Sequence, residues 1–210
     1  MVQDSPTFAL VNFAIAAYLF YMWFYDFDFF RKNGFPRRGA LRGATPAPKT
    51  LCVVGALAAL ALLCVHTLTE ISLGVEGEQT KVSAWALLSW TGAAFVEELV
   101  FRGYIVVENR GRAALVASIA AFSLVFALAH PFVWDYTIPE GAGVFDGVWK
   151  FDFSVQPLIS TLAIFECSLL FYVLRFVPQN ASRSLLPCVA AHFSYNLGVF
   201  AVKAFSGFVG

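Results

Sequence analysis

The residues of this sequence best suited to chemistry stand inside apolar runs. Glu97 and Glu98 are adjacent in VEELVFRG, with Arg102 four residues beyond Glu98. His130 closes FALAHPF one turn after Phe126, Glu166 stands alone in AIFECSLLF, and His192 and Asn196 form HFSYN. Ionisable groups within membrane-length apolar segments are costly, and each is by default a candidate functional group. Neighbouring residues on a helix point about 100° apart, so Glu97 and Glu98 face different surroundings. Arg102 lies on the face of Glu98, within ion-pair reach. Glu97 shares its face with Phe101 and has no partner on its own helix. The spacing therefore predicts that Arg102 neutralises Glu98, while Glu97 is a desolvated carboxylate suited to general-base work unless another span brings it a partner.

The spacing of four places His192 and Asn196 on one face, where two donors can converge on an oxyanion. The set fits hydrolysis better than ion transport. Glu97, helped by His130, could take a proton from a water that attacks a peptide carbonyl. His192 and Asn196 would hold the tetrahedral oxyanion, a contribution usually worth about 3–4 kcal/mol per donor. No Ser or Cys stands in a nucleophile motif, and HExxH is absent. Each feature also has a plain structural reading. Glu98–Arg102 could simply tie helices together, His130 could be an interfacial helix end, and His192–Asn196 could be a packing pair. Glu166 could line the same cavity, pair with a histidine, or be protonated within the bundle. His66 and Glu70 in HTLTE are also spaced by four, but they fall at the outer end of their span, where interfacial solvation accounts for them.

These residues need helices that cross a bilayer. Of the 210 residues, 59% are hydrophobic, 17% aromatic and only 13% charged, against roughly 25% charged in a soluble domain, and the mean hydropathy is +0.71. Six segments approach the roughly 20 apolar residues a spanning helix needs: Phe8–Tyr25, Leu51–Thr69, Val82–Val107, Ala113–Phe132, Pro157–Phe176 and Leu185–Phe205. The first lacks a basic n-region and a small-residue cleavage site and is read as a retained anchor. The expected fold is an all-α polytopic membrane bundle of about six transmembrane helices with an intramembrane catalytic cavity. It forms one domain, residues 1–210, in which two spans and a basic loop (1–81) precede a catalytic core (82–210). Those boundaries set His130 near the outer end of its helix and Glu97 mid-span. For the two to meet, Gly103–Arg112 must be partly re-entrant or interfacial, or the fourth helix must tilt or start late.

Connecting segments alternate in sign. The loops holding RKNGFPRRGALRGATPAPK, ENRGR and RFVPQNASR are basic, and those holding EISLGVEGEQTK and DYTIPEGAGVFDGVWKFDF are acidic. Short basic loops stay cytoplasmic, which places both termini outside. Trp85, Trp134 and Trp149 fall near outer ends, where an interfacial aromatic belt would hold them. Cys52, Cys64, Cys167 and Cys188 lie in apolar runs without paired spacing and read as small core residues. The Asn180 sequon falls on the cytoplasmic side and is discounted. The net charge is zero, and no nucleic-acid partner is expected.

The three polar motifs resemble those of the CPBP (ABI) family of CAAX-processing and bacteriocin-processing intramembrane proteases, which includes the type II CAAX prenyl endopeptidases. EExxxR is present as Glu97-Glu98-Leu-Val-Phe-Arg102 followed by Gly103, FxxxH as Phe126 to His130, and HxxxN as His192 to Asn196, in the family's order. RSLLPCVAAHFSYN is similar to the family's approach to its last motif. The resemblance implies a glutamate-dependent endopeptidase in which Glu97 and His130 activate water, His192 and Asn196 form the oxyanion site, and Glu98 and Arg102 support the helix. Glu97, His130 and His192 could in principle bind zinc as a carboxylate and two histidines. Metal-free catalysis is preferred, because Asn196 is a poor zinc ligand and no outer carboxylate behind the histidines is evident. The implied partners are the lipid bilayer and a protein or peptide with a C-terminal or transmembrane tail: a prenylated CAAX protein, a bacteriocin leader or a sorting tail. The expected location is a prokaryotic inner membrane. The alternatives are a non-enzymatic immunity or scaffold protein retaining the fold and, more weakly, a proton-coupled transporter. Six spans without an inverted repeat argue against the transporter.

Overall fold

A computed structural model describes residues 5–210. Helices form at all six expected places: α1 (Pro6–Asn33), α2 (Lys49–Leu73), α3 (Trp85–Glu97), α4 (Arg112–Ala129), α5 (Val155–Phe176) and α6 (Leu186–Phe205). Among them α1, α2, α4 and α5 are long and apolar enough to cross a membrane. The 20-residue α6 is diluted by His192, Asn196 and Lys203. The α-helical part of α3 has only 13 residues, but it runs directly into a seven-residue π-helical segment, Glu98–Tyr104. The architecture is an all-α membrane bundle. One element was not foreseen. The acidic stretch after α4 folds into an antiparallel hairpin of β1 (Trp134–Thr137) and β2 (Val148–Phe151), with Trp134 opposite Phe151 and Tyr136 opposite Trp149.

Between helices in lipid, association relies on close packing rather than on escape from water. α1 packs on α3, α2 on α6, and α4 on α5. Small residues let α2 approach its neighbours. A Cβ on Gly55 would stand 3.0 Å from Leu174 Cδ1 and 3.1 Å from the Pro187 carbonyl oxygen, and one on Gly198 of α6 would collide with Leu63 Cδ2. One core cluster joins Ala59, Leu63, Cys167, Phe171, Leu174, Cys188, Ala191 and Tyr195 from α2, α5 and α6. A second joins Trp23, Phe95, Leu99 and Leu185. Leu10, Val11 and Ile15 of α1 and Val53, Leu57 and Leu68 of α2 remain exposed, as a lipid-facing surface requires.

The first and last basic loops meet at one end of the bundle. Buried Asp26 accepts from Arg37 Nε (2.6 Å) and from the Leu41 backbone N–H (2.8 Å), and Trp23 Nε1 donates to the Arg42 carbonyl (3.2 Å). Thr45 Oγ1 donates to Ser182 O, and the Leu185 N–H donates to Gly43 O. Asn180 is buried in this knot. Its Nδ2 donates to the Leu174 and Ser184 carbonyls and its Oδ1 accepts from the Ser184 N–H, which gives the sequon residue a capping role. Chain segments from the acidic side meet at the other end, where Lys203 Nζ donates to Thr80 O and the Val82 N–H donates to Phe208 O. In the loop before α5, the Ser154 backbone N–H holds the Asp152 carboxyl below the usual carboxylate range. All four cysteines are free; Cys167 and Cys188 are buried, and Cys64 is exposed on α2.

Candidate active site

The polar residues converge where α3 passes into the π segment. Glu98 and Arg102 are wholly buried, with Arg102 Nη1 3.1 Å from Glu98 Oε1. Two such charges are tolerable only with several partners, and the partners come from three helices. His192 Nδ1 of α6 lies 2.8 Å from the same Glu98 oxygen. Arg102 Nη2 donates to Ser168 Oγ of α5 (2.6 Å), and Ser168 Oγ lies 3.0 Å from Ser123 Oγ of α4. The guanidinium also sits 4.5 Å from the Phe126 ring centre and 4.8 Å from that of Tyr172, where cation–π attraction is strongest without competing water.

Glu97 is oriented differently. Its side chain retains 30% of its accessible surface, and Oε2 lies 3.8 Å from His192 Nε2. The partner missing from its own helix therefore comes from α6. His192 stands between the two carboxylates, with Nδ1 toward Glu98 and Nε2 toward Glu97, and it stacks on Phe171 at 4.8 Å and 21°.

His130 leaves α4 because Pro131 follows it, and a residue before proline is driven toward extended backbone. It has φ −86° and ψ 121°. Its Nδ1 lies 2.8 Å from the Phe126 carbonyl oxygen, so Nδ1–H donates there and Nε2 points away from that bond. The Phe126 ring lies 4.9 Å from His130 and 6.3 Å from His192, and it connects the two histidines. Helical structure ends at Tyr104 rather than Val107 and a short loop leads to α4 at Arg112. Ser123 of α4 lies beside Ser168, the partner of Arg102, and His130 follows Ser123 by about two turns, roughly 10 Å. Gly111 makes that turn possible at φ 87°, where a side chain would be strained.

Asn196 follows His192 by one turn, and its Nδ2 donates to the Trp90 carbonyl oxygen of α3 (3.2 Å). A primary amide has two donor hydrogens, so one stays available. Glu166 does not join this cluster. Its Oε2 lies 2.8 Å from His66 Nε2, and His66 Nδ1 lies 2.8 Å from the Tyr195 hydroxyl. His66 is thus buried within α2 and is not an interfacial side chain. Interhelical hydrogen bonding, rather than solvation at a span end, accounts for it. Of the two expected cavity residues, Phe126 lies among the catalytic candidates and Glu166 faces α2.

A family model described as type II CAAX prenyl endopeptidase, Rce1-like, matches residues 79–198, more than half of the chain. The chain belongs to the Rce1-like family. No curated protein and no solved structure matches it. Membership in the Rce1-like family makes the chain a CAAX-type intramembrane endopeptidase in general terms: a hydrolase held in a lipid bilayer and acting on a protein or peptide. The match runs from just before α3 into α6 and contains Glu97, Glu98, Arg102, Phe126, His130, His192 and Asn196.

Sequence reasoning overlooked the α5 side of the site. Ser168, Phe171, Tyr172 and Arg175 are all buried and all touch the π segment or His192. Their signal was available as polar residues at i, i+4 and i+7 in an apolar span. The expected lack of an outer carboxylate is also corrected, since Glu98 stands directly behind His192 Nδ1. Such a carboxylate is common behind metal-binding histidines, so that argument against zinc falls. Among the described residues no three His, Cys, Asp or Glu side chains are grouped closely enough to hold a metal ion.

Proposed function

We propose that the chain is a glutamate-dependent endopeptidase that cuts a peptide bond near the C-terminus or membrane segment of its substrate, without a metal. The observation that carries the reading is the division of labour between adjacent carboxylates. Glu98 is sealed beneath Arg102 and His192, whereas Glu97 is half-buried and only 3.8 Å from His192 Nε2. Glu97 accepts a proton from water, assisted by Nε2 of His130, and the resulting hydroxide adds to the scissile carbonyl. His192 Nε2–H and the second Asn196 N–H donate to the oxyanion. The proton held by Glu97 then passes to the leaving amine, which closes the cycle.

The reading further places the protein in a prokaryotic inner membrane with its basic loops in the cytoplasm and both termini outside. Support comes from the charge alternation and from the packing of the first and last basic loops together at one end. The substrate has a tail lying in or against the bilayer; a sorting tail or maturing peptide suits a prokaryotic source better than a prenylated protein.

The test is Glu97→Gln in purified, detergent-solubilised protein against a panel containing a farnesylated CAAX peptide and membrane-tailed peptides. General-base loss predicts a fall in kcat of about 10²- to 10⁴-fold with unchanged thermal stability. Equal activity in the variant and the parent would sink the mechanism. A parent inert across the panel, with Glu97→Gln unfolding the protein, would favour the scaffold alternative.

A further inference from the structure

We propose that one stripe of α5, Ser168–Tyr172–Arg175, is a positioning element that holds the π segment and thereby sets Glu97 and Glu98 against His192. The inference rests on the hydrolytic reading above and extends it to a helix that carries none of the three motifs.

Residues 168, 172 and 175 lie at i, i+4 and i+7, so all three share one face of α5. Each engages Glu98–Tyr104 or its exit. Ser168 Oγ accepts from Arg102 Nη2 at 2.6 Å. The Tyr172 hydroxyl lies within hydrogen-bond distance of the Phe101 carbonyl oxygen (3.0 Å) and that of Ile105 (2.9 Å). Arg175 Nε donates to the Arg102 carbonyl oxygen at 3.2 Å. Between them, Phe171 supports the His192 ring.

The physical need arises where the π segment ends. A π turn is rare and is concentrated at functional sites. The final carbonyls of any helix lack partners within it, and inside a membrane bundle such groups must be satisfied by protein. The polar stripe of α5 supplies those donors. Without them, α winding competes. Converting one π turn to α shifts everything on one side of it by a residue, about 100° around the axis. Arg102 could not then remain at Ser168 while Glu98 stays at His192 Nδ1.

The test uses the full chain in detergent micelles with Tyr172→Phe, which removes one oxygen and keeps the ring beside Arg102, and Ser168→Ala, with Ser168→Thr as the conservative control. Two readouts are taken: kcat and KM on the farnesylated CAAX peptide, and the ¹⁵N side-chain signals of the three histidines, with His192 assigned through His192→Gln. The expected result is a fall in kcat of roughly 10- to 100-fold, the size typical when outer partners of metal-ligating residues are removed, with KM nearly constant. The Nδ1 signal of His192 moves, while Ser168→Thr restores both readouts. Unchanged kcat together with an unmoved His192 signal in Tyr172→Phe would overturn the proposal. Should Tyr172→Phe fail to fold, Ser168→Ala decides by the same two readouts. If the parent cleaves no peptide, the resonance alone decides. A moved His192 signal then supports positioning while the hydrolytic reading fails, and an unmoved one overturns positioning.

Discussion

Replacing Arg102 by Met tests the central electrostatic claim. Methionine keeps much of the volume and suits the aromatic walls of Phe126 and Tyr172, so the change removes mainly a charge. Glu98 has no exposed surface, and its remaining partner would be His192 Nδ1 at 2.8 Å. Stranding one member of a buried pair costs about 3–5 kcal/mol, a large part of a total stability of about 5–15 kcal/mol. Glu98→Gln in the same background removes the stranded charge and leaves an underused buried amide, a cost of about 1–3 kcal/mol. The double variant should therefore be more stable than Arg102→Met alone by about 2 kcal/mol, so the single-variant costs should not add. The assay is reversible SDS unfolding in mixed micelles, followed by tryptophan fluorescence, for the full double-mutant cycle. Single-variant costs that add to within about 0.5 kcal/mol would show that Glu98 and Arg102 are not energetically paired, and the reasoning would fail.

Asn196→Ala should lower kcat by about 10²- to 10³-fold, as for other oxyanion donors; a change below about threefold would leave the amide serving only the Trp90 carbonyl. A strong zinc chelator should leave peptide cleavage unchanged, and activity lost to chelation and recovered on adding zinc would assign a metal to Glu97, His130 and His192. His66→Phe should destabilise the bundle by about 1–3 kcal/mol, because Tyr195 and Glu166 lose their shared partner, with kcat unchanged. A matched fall in kcat would place that cluster in the catalytic path.

The sequence by itself determined the things that depend on local spacing. Apolar run length placed six helices, although α1 runs eight residues beyond its expected end at Tyr25; loop charge separated the two ends, and the i, i+4 rule paired Glu98 with Arg102. Motif order was sufficient to point to the family. Three features escaped it because each depends on how separate helices meet. Glu97 has no partner on α3, and its neighbour His192 arrives from α6, 95 residues later by number. His66 was assigned to solvation because its partners, Tyr195 and Glu166, lie on helices distant in sequence. The π segment was invisible because apolar periodicity over one turn does not distinguish i+4 from i+5 bonding. Only tertiary structure decides that choice, since the donors satisfying the segment's carbonyls, the Tyr172 hydroxyl and Arg175 Nε, belong to α5. Local spacing thus decided which polar residues share a helix face, and the packing of α5 and α6 against that one irregular turn decided which of them meet.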